Sequence, residues 1–145
     1  MEFYIEKLET FSSELIAVLN KLLMQLNNEA VPLIKADIEQ MISSPTNSLF
    51  VARRSDNKEI VGMITLIIYR IPVWKKAWIE DIVVDEEYRK HGIGTKLIQH
   101  AIEIAKALGV LSLNFTSRPG KEAANRLYER LGFEKRETNV YWIRF

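Results

Sequence analysis

The 145-residue chain contains no cysteine. That excludes disulfides, thiolate metal sites and a cysteine acyl-enzyme intermediate, and it fits a reducing, cytoplasmic setting. The chain also lacks an excess of one charge: 20 Lys and Arg against 19 Asp and Glu leave a net +1. With no basic block, no nucleic-acid partner is expected. No run approaches the roughly 20 apolar residues of a membrane span, so no membrane partner is expected either. The most apolar stretch, Ile60 to Ile71, has the length of a strand. The opening MEFYIEKLET carries acids early and no long apolar run, unlike a secretory signal. No cluster of His, Asp and Glu has metal-ligand spacing, so no metal is expected. Repeats, low-complexity tracts and linkers are missing too, and residues 1–145 read as a single domain. Monomer and homodimer both stay open.

What is present is ordinary for a globular protein: 48% apolar and 27% charged residues. A chain of this length removes roughly 70% of its extended surface on folding. Phe3 to Leu8 reads as an opening strand. Thr10 is placed to cap a helix carrying Phe11, Leu15, Leu19, Leu22 and Leu26 on one stripe, ended by Asn27 and Asn28. Pro32 suits the first turn of a second helix with Leu33, Ile34, Ile38 and Ile42. Leu49 to Arg54 and Ile60 to Arg70 flank the turn Ser55–Lys58 as a hairpin. Ala77 to Val84 is a fourth strand. A helix with Ile93, Leu97, Ala101, Ile104 and Leu108 follows and stops at Gly109. Val110 to Thr116 is a strand, and Lys121 to Leu131 is a helix stopped by Gly132. Phe133 to Phe145 is expected to supply one or two last strands. The order implies a mixed sheet with helices on both faces, an α+β, three-layer α/β/α sandwich.

Between the fourth strand and the long helix runs Val83-Val84-Asp85-Glu86-Glu87-Tyr88-Arg89-Lys90-His91-Gly92-Ile93-Gly94-Thr95. The first N–H groups of a helix lack internal partners and sit at its positive end. Glycines remove the Cβ atoms that would hold a ligand away from those amides. Arg89, Lys90 and His91 add charge at the same place, so the turn suits a phosphate or pyrophosphate. The spacing fits neither a P-loop nor a dinucleotide fingerprint, whose third glycine is replaced by Leu97. What remains is R-x-x-G-x-G, with Arg89, Gly92 and Gly94. The plain alternative is a glycine-rich turn with solvated bases.

A second run, Ala124-Asn125-Arg126-Leu127-Tyr128-Glu129-Arg130-Leu131-Gly132-Phe133, puts Tyr128 at the edge of the apolar stripe formed by Ala124, Leu127 and Leu131. There a tyrosine can bury its ring and keep its hydroxyl in a cleft, or simply pack.

The two runs together, R-x-x-G-x-G and then A-x-x-L-Y-x-x-x-G-F, resemble the GCN5-related N-acetyltransferase (GNAT) family, and the resemblance covers nearly the whole chain. It implies a mainly antiparallel sheet whose fourth and fifth strands splay apart to admit a thioester. It implies acetyl-CoA as co-substrate and a primary amine as acceptor, with direct transfer. The amides of Arg89, Lys90, His91, Gly92, Ile93, Gly94 and Thr95 would hold the CoA pyrophosphate. The backbone of Ile82, Val83 and Val84 would pair with the pantetheine arm, and Tyr128 would protonate the departing thiolate. Many members carry an asparagine seven residues before that tyrosine. Lys121 stands there instead, leaving the nearby Asn125 as the candidate CoA contact.

An alkyl ammonium, with a pKa near 10, must lose a proton before it attacks a thioester. Glu80 and Asp81 lie in an apolar strand, where neighbouring side chains point to opposite faces. Alternation groups Glu80 with Trp78, Ile82 and Val84, and Asp81 with Ile79 and Val83. A buried unpaired charge costs several kcal/mol, so each carboxylate should reach a cleft or a cation. Glu80, ahead of Asp81, is the candidate base; the other reading pairs the acids with Arg or Lys from a helix. The N–H of Val83 is the candidate oxyanion donor. Substrate choice is expected in residues 27–32, 71–76 and the tail after Gly132. A non-catalytic acyl-CoA sensor of the same fold is the alternative function.

Overall fold

The computed structural model describes residues 1–145, which form two compact units, Met1–Phe115 and Thr116–Phe145. The first holds a five-stranded sheet in the order β1 (Phe3–Lys7), β2 (Asn47–Arg54), β3 (Ile60–Arg70), β4 (Lys75–Val84) and β5 (Leu113–Asn114). The first four strands are antiparallel neighbours, and β5 joins β4 in parallel. Helices cover both faces: α1 (Glu14–Leu26) and α2 (Lys35–Ser43) on one, α3 (Ile93–Ala107) on the other.

Strand alternation sorts the core into two layers. Leu49 and Val51 of β2 and Met63 of β3 pack with Leu15, Leu19, Leu22 and Ile38 of the first two helices. Phe50 points the other way and meets the His100 ring of α3 edge-on, with centroids 4.7 Å apart. His100 is thus a packing residue of α3. No helix is long and apolar enough to cross a membrane.

Both early helices start later than their sequence signals. Leu8 still donates to the Leu49 carbonyl at 2.9 Å, so the chain needs residues 9–13 to turn before α1 can begin. Ser13, not Thr10, occupies the cap position. Pro32 lies three residues before α2 because Asn20 captures Leu33. The Asn20 amide donates to the Leu33 carbonyl at 3.0 Å and accepts from its N–H at 2.7 Å. With both backbone groups taken, Leu33 cannot join a helix. Asp37 then accepts from the Ile34 N–H at 2.9 Å and fixes the start.

The expected strand over residues 110–116 shrinks to two residues. Pairing runs from Ala77↔Leu113 to Trp78↔Asn114 and stops, so from Ile79 to Val84 no strand borders β4 on that side. The second unit contains α4 (Glu122–Arg130), followed by Gly132 in the left-handed region. Residues 133–145 form no strand, contrary to expectation, and Val140, Tyr141, Trp142, Ile143 and Phe145 are exposed. Nothing in the second unit supplies that stretch with a ladder partner.

Candidate functional site

The turn that the sequence reads as a phosphate site starts from a buried acid. Asp85 is 2% exposed, and its carboxylate accepts from the Glu87 N–H at 3.1 Å, capping a short 3-10 turn at Glu86–Tyr88. Its other oxygen meets the Lys21 ammonium of α1 at 2.8 Å. Burial alone would raise this carboxyl. The Lys21 hydrogen bond, the Glu87 amide and the Gln25 amide outweigh it and hold Asp85 below the usual carboxylate range. Gln25 also accepts from the Glu86 N–H at 2.9 Å. The far side of the turn is held by Tyr88, whose hydroxyl donates to Glu59 at 2.9 Å and accepts from Arg54 at 3.1 Å.

From this footing the chain reaches α3 through two left-handed residues, Lys90 at φ 67° and Gly92 at φ 76°. Gly92 caps the helix, and its carbonyl accepts from the Lys96 N–H at 3.1 Å, closing the first helical turn. The N–H groups of Ile93, Gly94 and Thr95 therefore have no intrahelical acceptor. Gly94 has no such backbone need for glycine. A Cβ there would meet only Val84 Cγ2 at 3.8 Å, an ordinary contact. Nothing in the chain requires glycine at this position, which fits a close approach from outside. Arg89 is exposed, and its Nε donates to the Val84 carbonyl at 3.2 Å. The His91 Nδ1 lies 3.0 Å from the carbonyls of both Tyr88 and Arg89.

The strand feeding the turn carries a bulge. Thr65 pairs with Glu80 and Met63 with Val83, so Asp81 and Ile82 both stand opposite Ile64. Asp81 takes the extra curvature at φ 50°. The bulge shifts the alternation by one and corrects the sequence-based faces. Glu80 lies on the side of Trp78 and Val83, towards α1, while Ile79 shares its side with Val84. The register also redirects the Val83 amide. Asp85 donates to the Val61 carbonyl at 2.8 Å. Hydrogen-bonded pairs recur at every second position, so Val83 turns its N–H to Met63 and is not open to an oxyanion. Asp81 and Ile82 stand outside that ladder.

Glu80 and Asp81 are both exposed, and no cation forms an ion pair with either. The paired-acid reading therefore fails. Partial desolvation, and then the charge of Asp81, raise the Glu80 carboxyl above its ordinary value. On the same face Trp78 donates its indole N–H to the Tyr69 hydroxyl at 2.7 Å. No group of three or more His, Cys, Asp or Glu side chains is placed so that it could hold a metal ion. A hollow of about 230 Å³ at the end of β1 is lined by Glu6, Thr10, Ser12 and Arg53 among others, and shares no residue with the turn or with Glu80.

In the second unit Tyr128 is half-buried on α4, edge-on to Phe133 with centroids 6.5 Å apart. Desolvation raises its hydroxyl above the usual phenol value. Asn125 donates to the Arg118 carbonyl at 3.2 Å, and Lys121 is exposed at the start of the helix.

The sequence reading missed Asp85 and Gly62. Asp85 had a legible signal: an acid closing an apolar strand two residues before an amide it could cap. Gly62 lies beneath α3, where a Cβ would sit 3.1 Å from the Val83 carbonyl and 3.3 Å from Leu97 Cδ1. It permits the close approach of α3 to the sheet.

A parallel-joined, one-sided β4 running into a glycine-opened helix defines a GNAT-type acyltransferase fold. The acetyltransferase (GNAT) family model matches residues 15–133, and the chain belongs to that family. An uncharacterised N-acetyltransferase of Methanocaldococcus jannaschii is 41% identical over 68 residues, 47% of this chain and 30% of that protein. The ribosomal protein bS18-alanine N-acetyltransferase of Escherichia coli is 36% identical over 63 residues, 43% of each chain. The matched stretch thus spans less than half of either relative. An acetyltransferase structure from Trypanosoma brucei superposes with a TM-score of 0.81 at 27% identity, covering 98% of this chain and 99% of that one.

Proposed function

We propose that residues 1–145 work as one N-acetyltransferase domain, moving an acetyl group from acetyl-CoA directly to a primary amine without a covalent enzyme intermediate. The observation that carries this is the continuity of two open features. The edge of β4 is unpaired from Ile79 to Val84 and leads straight into the free amides of Ile93, Gly94 and Thr95. An unpaired strand edge offers alternating N–H and C=O groups to an extended amide-bearing arm. The helix N-terminus offers its amides and partial positive charge to a pyrophosphate. Arg89, Lys90 and His91 supply further positive or donor groups there, and Asn125 a further CoA contact.

The reaction then has four parts. Glu80, directly or through a water, takes the proton of the ammonium, which lets the amine attack the thioester carbonyl carbon. The developing oxyanion takes an N–H from the bulged run Asp81–Ile82 in place of the Val83 amide. Asp81 raises the basicity of Glu80 by its charge. The C–S bond breaks, the thiolate takes the Tyr128 proton, and the extra proton left on the attacking nitrogen passes through water to the Tyr128 phenolate while Glu80 returns its own to solvent. A carboxyl raised above its usual range is the stronger base, and a phenol raised above its own stays protonated for this step.

Calorimetric titration with acetyl-CoA tests the reading, beside an Arg89→Ala, Gly92→Glu variant. Micromolar-range binding by the wild type, lost in the variant, is expected. A folded wild type that binds no acetyl-CoA would overturn it. Binding without turnover on an amine panel would favour the acyl-CoA sensor, for which Tyr128→Phe should change nothing.

A further inference from the structure

Helix α1 carries polar side chains that acetyl transfer leaves unused. Lys21 and Gln25 are four residues apart and so share one face. Both reach the start of the phosphate turn. Lys21 Nζ meets Asp85 Oδ2 at 2.8 Å, and Gln25 Nε2 donates to Asp85 Oδ1 at 3.4 Å. The Gln25 oxygen accepts the Glu86 N–H at 2.9 Å, and Asp85 Oδ1 accepts the Glu87 N–H at 3.1 Å. Two successive amides of the turn are thus held by a buried acid and a helix glutamine. The neighbouring Asn20 clasps both backbone groups of Leu33, in the segment joining α1 to α2.

We infer that Asp85, with Lys21 and Gln25, is a positioning residue for the acetyl-CoA turn, and that α1 is the strut tying that turn to the segment 27–34. This rests on the acetyl-CoA reading of the turn and adds the device that sets its geometry. Asp85 touches no substrate. Its carboxylate orients residues 86 and 87, and through them Arg89 to Gly92. A turn whose amides must all face one anion tolerates little displacement, since a shift of about 1 Å in such sites costs on the order of 10²-fold. The strut acts on donor affinity through Asp85 and on acceptor affinity through Asn20, so the two clamps are separable by substitution.

The test uses the full chain and acetyl-CoA as titrant, followed by steady-state kinetics with an amine that the wild type acetylates. Asp85→Asn and Lys21→Met are expected to weaken acetyl-CoA binding about tenfold, with kcat at saturation within about twofold. Lys21→Arg, which keeps the charge, should recover most of the affinity. Asn20→Ala should raise the amine KM and leave acetyl-CoA affinity unchanged. Lys21 is half-exposed and Asp85 is buried, so Asp85→Asn leaves the ammonium in water, whereas Lys21→Met strands a buried carboxylate and is read beside the double variant Lys21→Met, Asp85→Asn, which strands none. A lowered Tm with unchanged acetyl-CoA affinity in both Lys21→Met and Asp85→Asn would make the cluster a structural ion pair and overturn the inference. Failure of Lys21→Arg to recover affinity would also count against it. A wild type that binds no acetyl-CoA would overturn the reading beneath as well, so the two failures are distinguishable.

Discussion

Residues 85–95 and residues 79–84 are contiguous, yet their geometry is set over different distances. The turn is a local object. Gly92 has to enter the left-handed region, α3 has to leave its first amides free, and both needs are met within a few residues. The strand is set from across the sheet. Its side-chain phase changes between Glu80 and Val83 because β3 places one residue, Ile64, against two. A motif can announce the first kind of structure; alternation misreads the second. The proposed chemistry draws on both, a phosphate grip from the turn and a base from the strand.

The largest effect that bears on this contrast comes from the bulge. Glu80→Gln should lower kcat/KM for the amine by about 10³-fold, within the span of a lost general base, with acetyl-CoA affinity unchanged. Asp81→Asn should cost about tenfold or less, since it removes a charge that only tunes Glu80. Reversed magnitudes would put the base on the other side of the bulge. The pH profile carries the same test. The proposed reaction needs ionised Glu80, and its carboxyl is raised above the ordinary value near 4.5. Activity should therefore fall as pH drops through a midpoint higher than that, and Glu80→Gln should abolish this acid limb. Asp81→Asn should shift the limb to lower pH, because the neighbouring charge is one cause of the raised value.

Tyr128→Phe comes next. Loss of the proton for the thiolate should reduce kcat by about 10²-fold, at the low end of acid catalysis, and leave acetyl-CoA affinity within about twofold. An unchanged kcat would remove the tyrosine from the reaction and strengthen the sensor reading.

Gly94→Ala probes the turn by itself. The fold does not need this glycine, because its Cβ would meet only Val84 at 3.8 Å, and alanine is the better helix former by about 1 kcal/mol. Thermal stability should hold or rise while acetyl-CoA affinity falls about tenfold, the equivalent of about 1.4 kcal/mol. Stability and affinity moving together would mean that the glycine serves packing. Gly92→Ala gives the contrasting case, costing stability by about 1–2 kcal/mol through its left-handed backbone.

Legibility along the chain follows the same division by distance. The bounds of β3 match their sequence expectation because turn residues flank an apolar run. The stop of α3 at Gly109 and of α4 at Gly132 is equally local, each glycine adopting positive φ. The start of α2 was not legible, because Asn20, thirteen residues earlier, takes the backbone groups of Leu33. The buried role of Asp85 needed α1 brought to the end of β4. The length of β5 depended on how soon it parts from β4. In the candidate site, the glycine turn was legible and the grouping of Glu80 with Val83 was not.

Gly62→Ala gives the finest test of the contrast, since Gly62 serves turn and strand at once. It faces Val84 across the ladder, and an added Cβ would lie 3.1 Å from the Val83 carbonyl, 3.3 Å from Leu97 Cδ1 and 3.4 Å from Ile93 Cγ2. The two side chains belong to the first turns of α3, the helix whose amides form the proposed phosphate grip. Leu97 can yield by a small rotation; the Val83 carbonyl is backbone and cannot. The expected cost is about 1–2 kcal/mol, the lower part of the range for overpacking, read as a Tm lowered by a few degrees. If the strain is relieved by lifting α3, acetyl-CoA affinity should fall with the Tm and kcat should hold. If it is relieved by pushing β4 at Val83, the bulge moves, and kcat should fall while affinity holds. The split between KM and kcat in this one variant therefore reports which of the two neighbours is the stiffer, the locally built turn or the strand set from across the sheet.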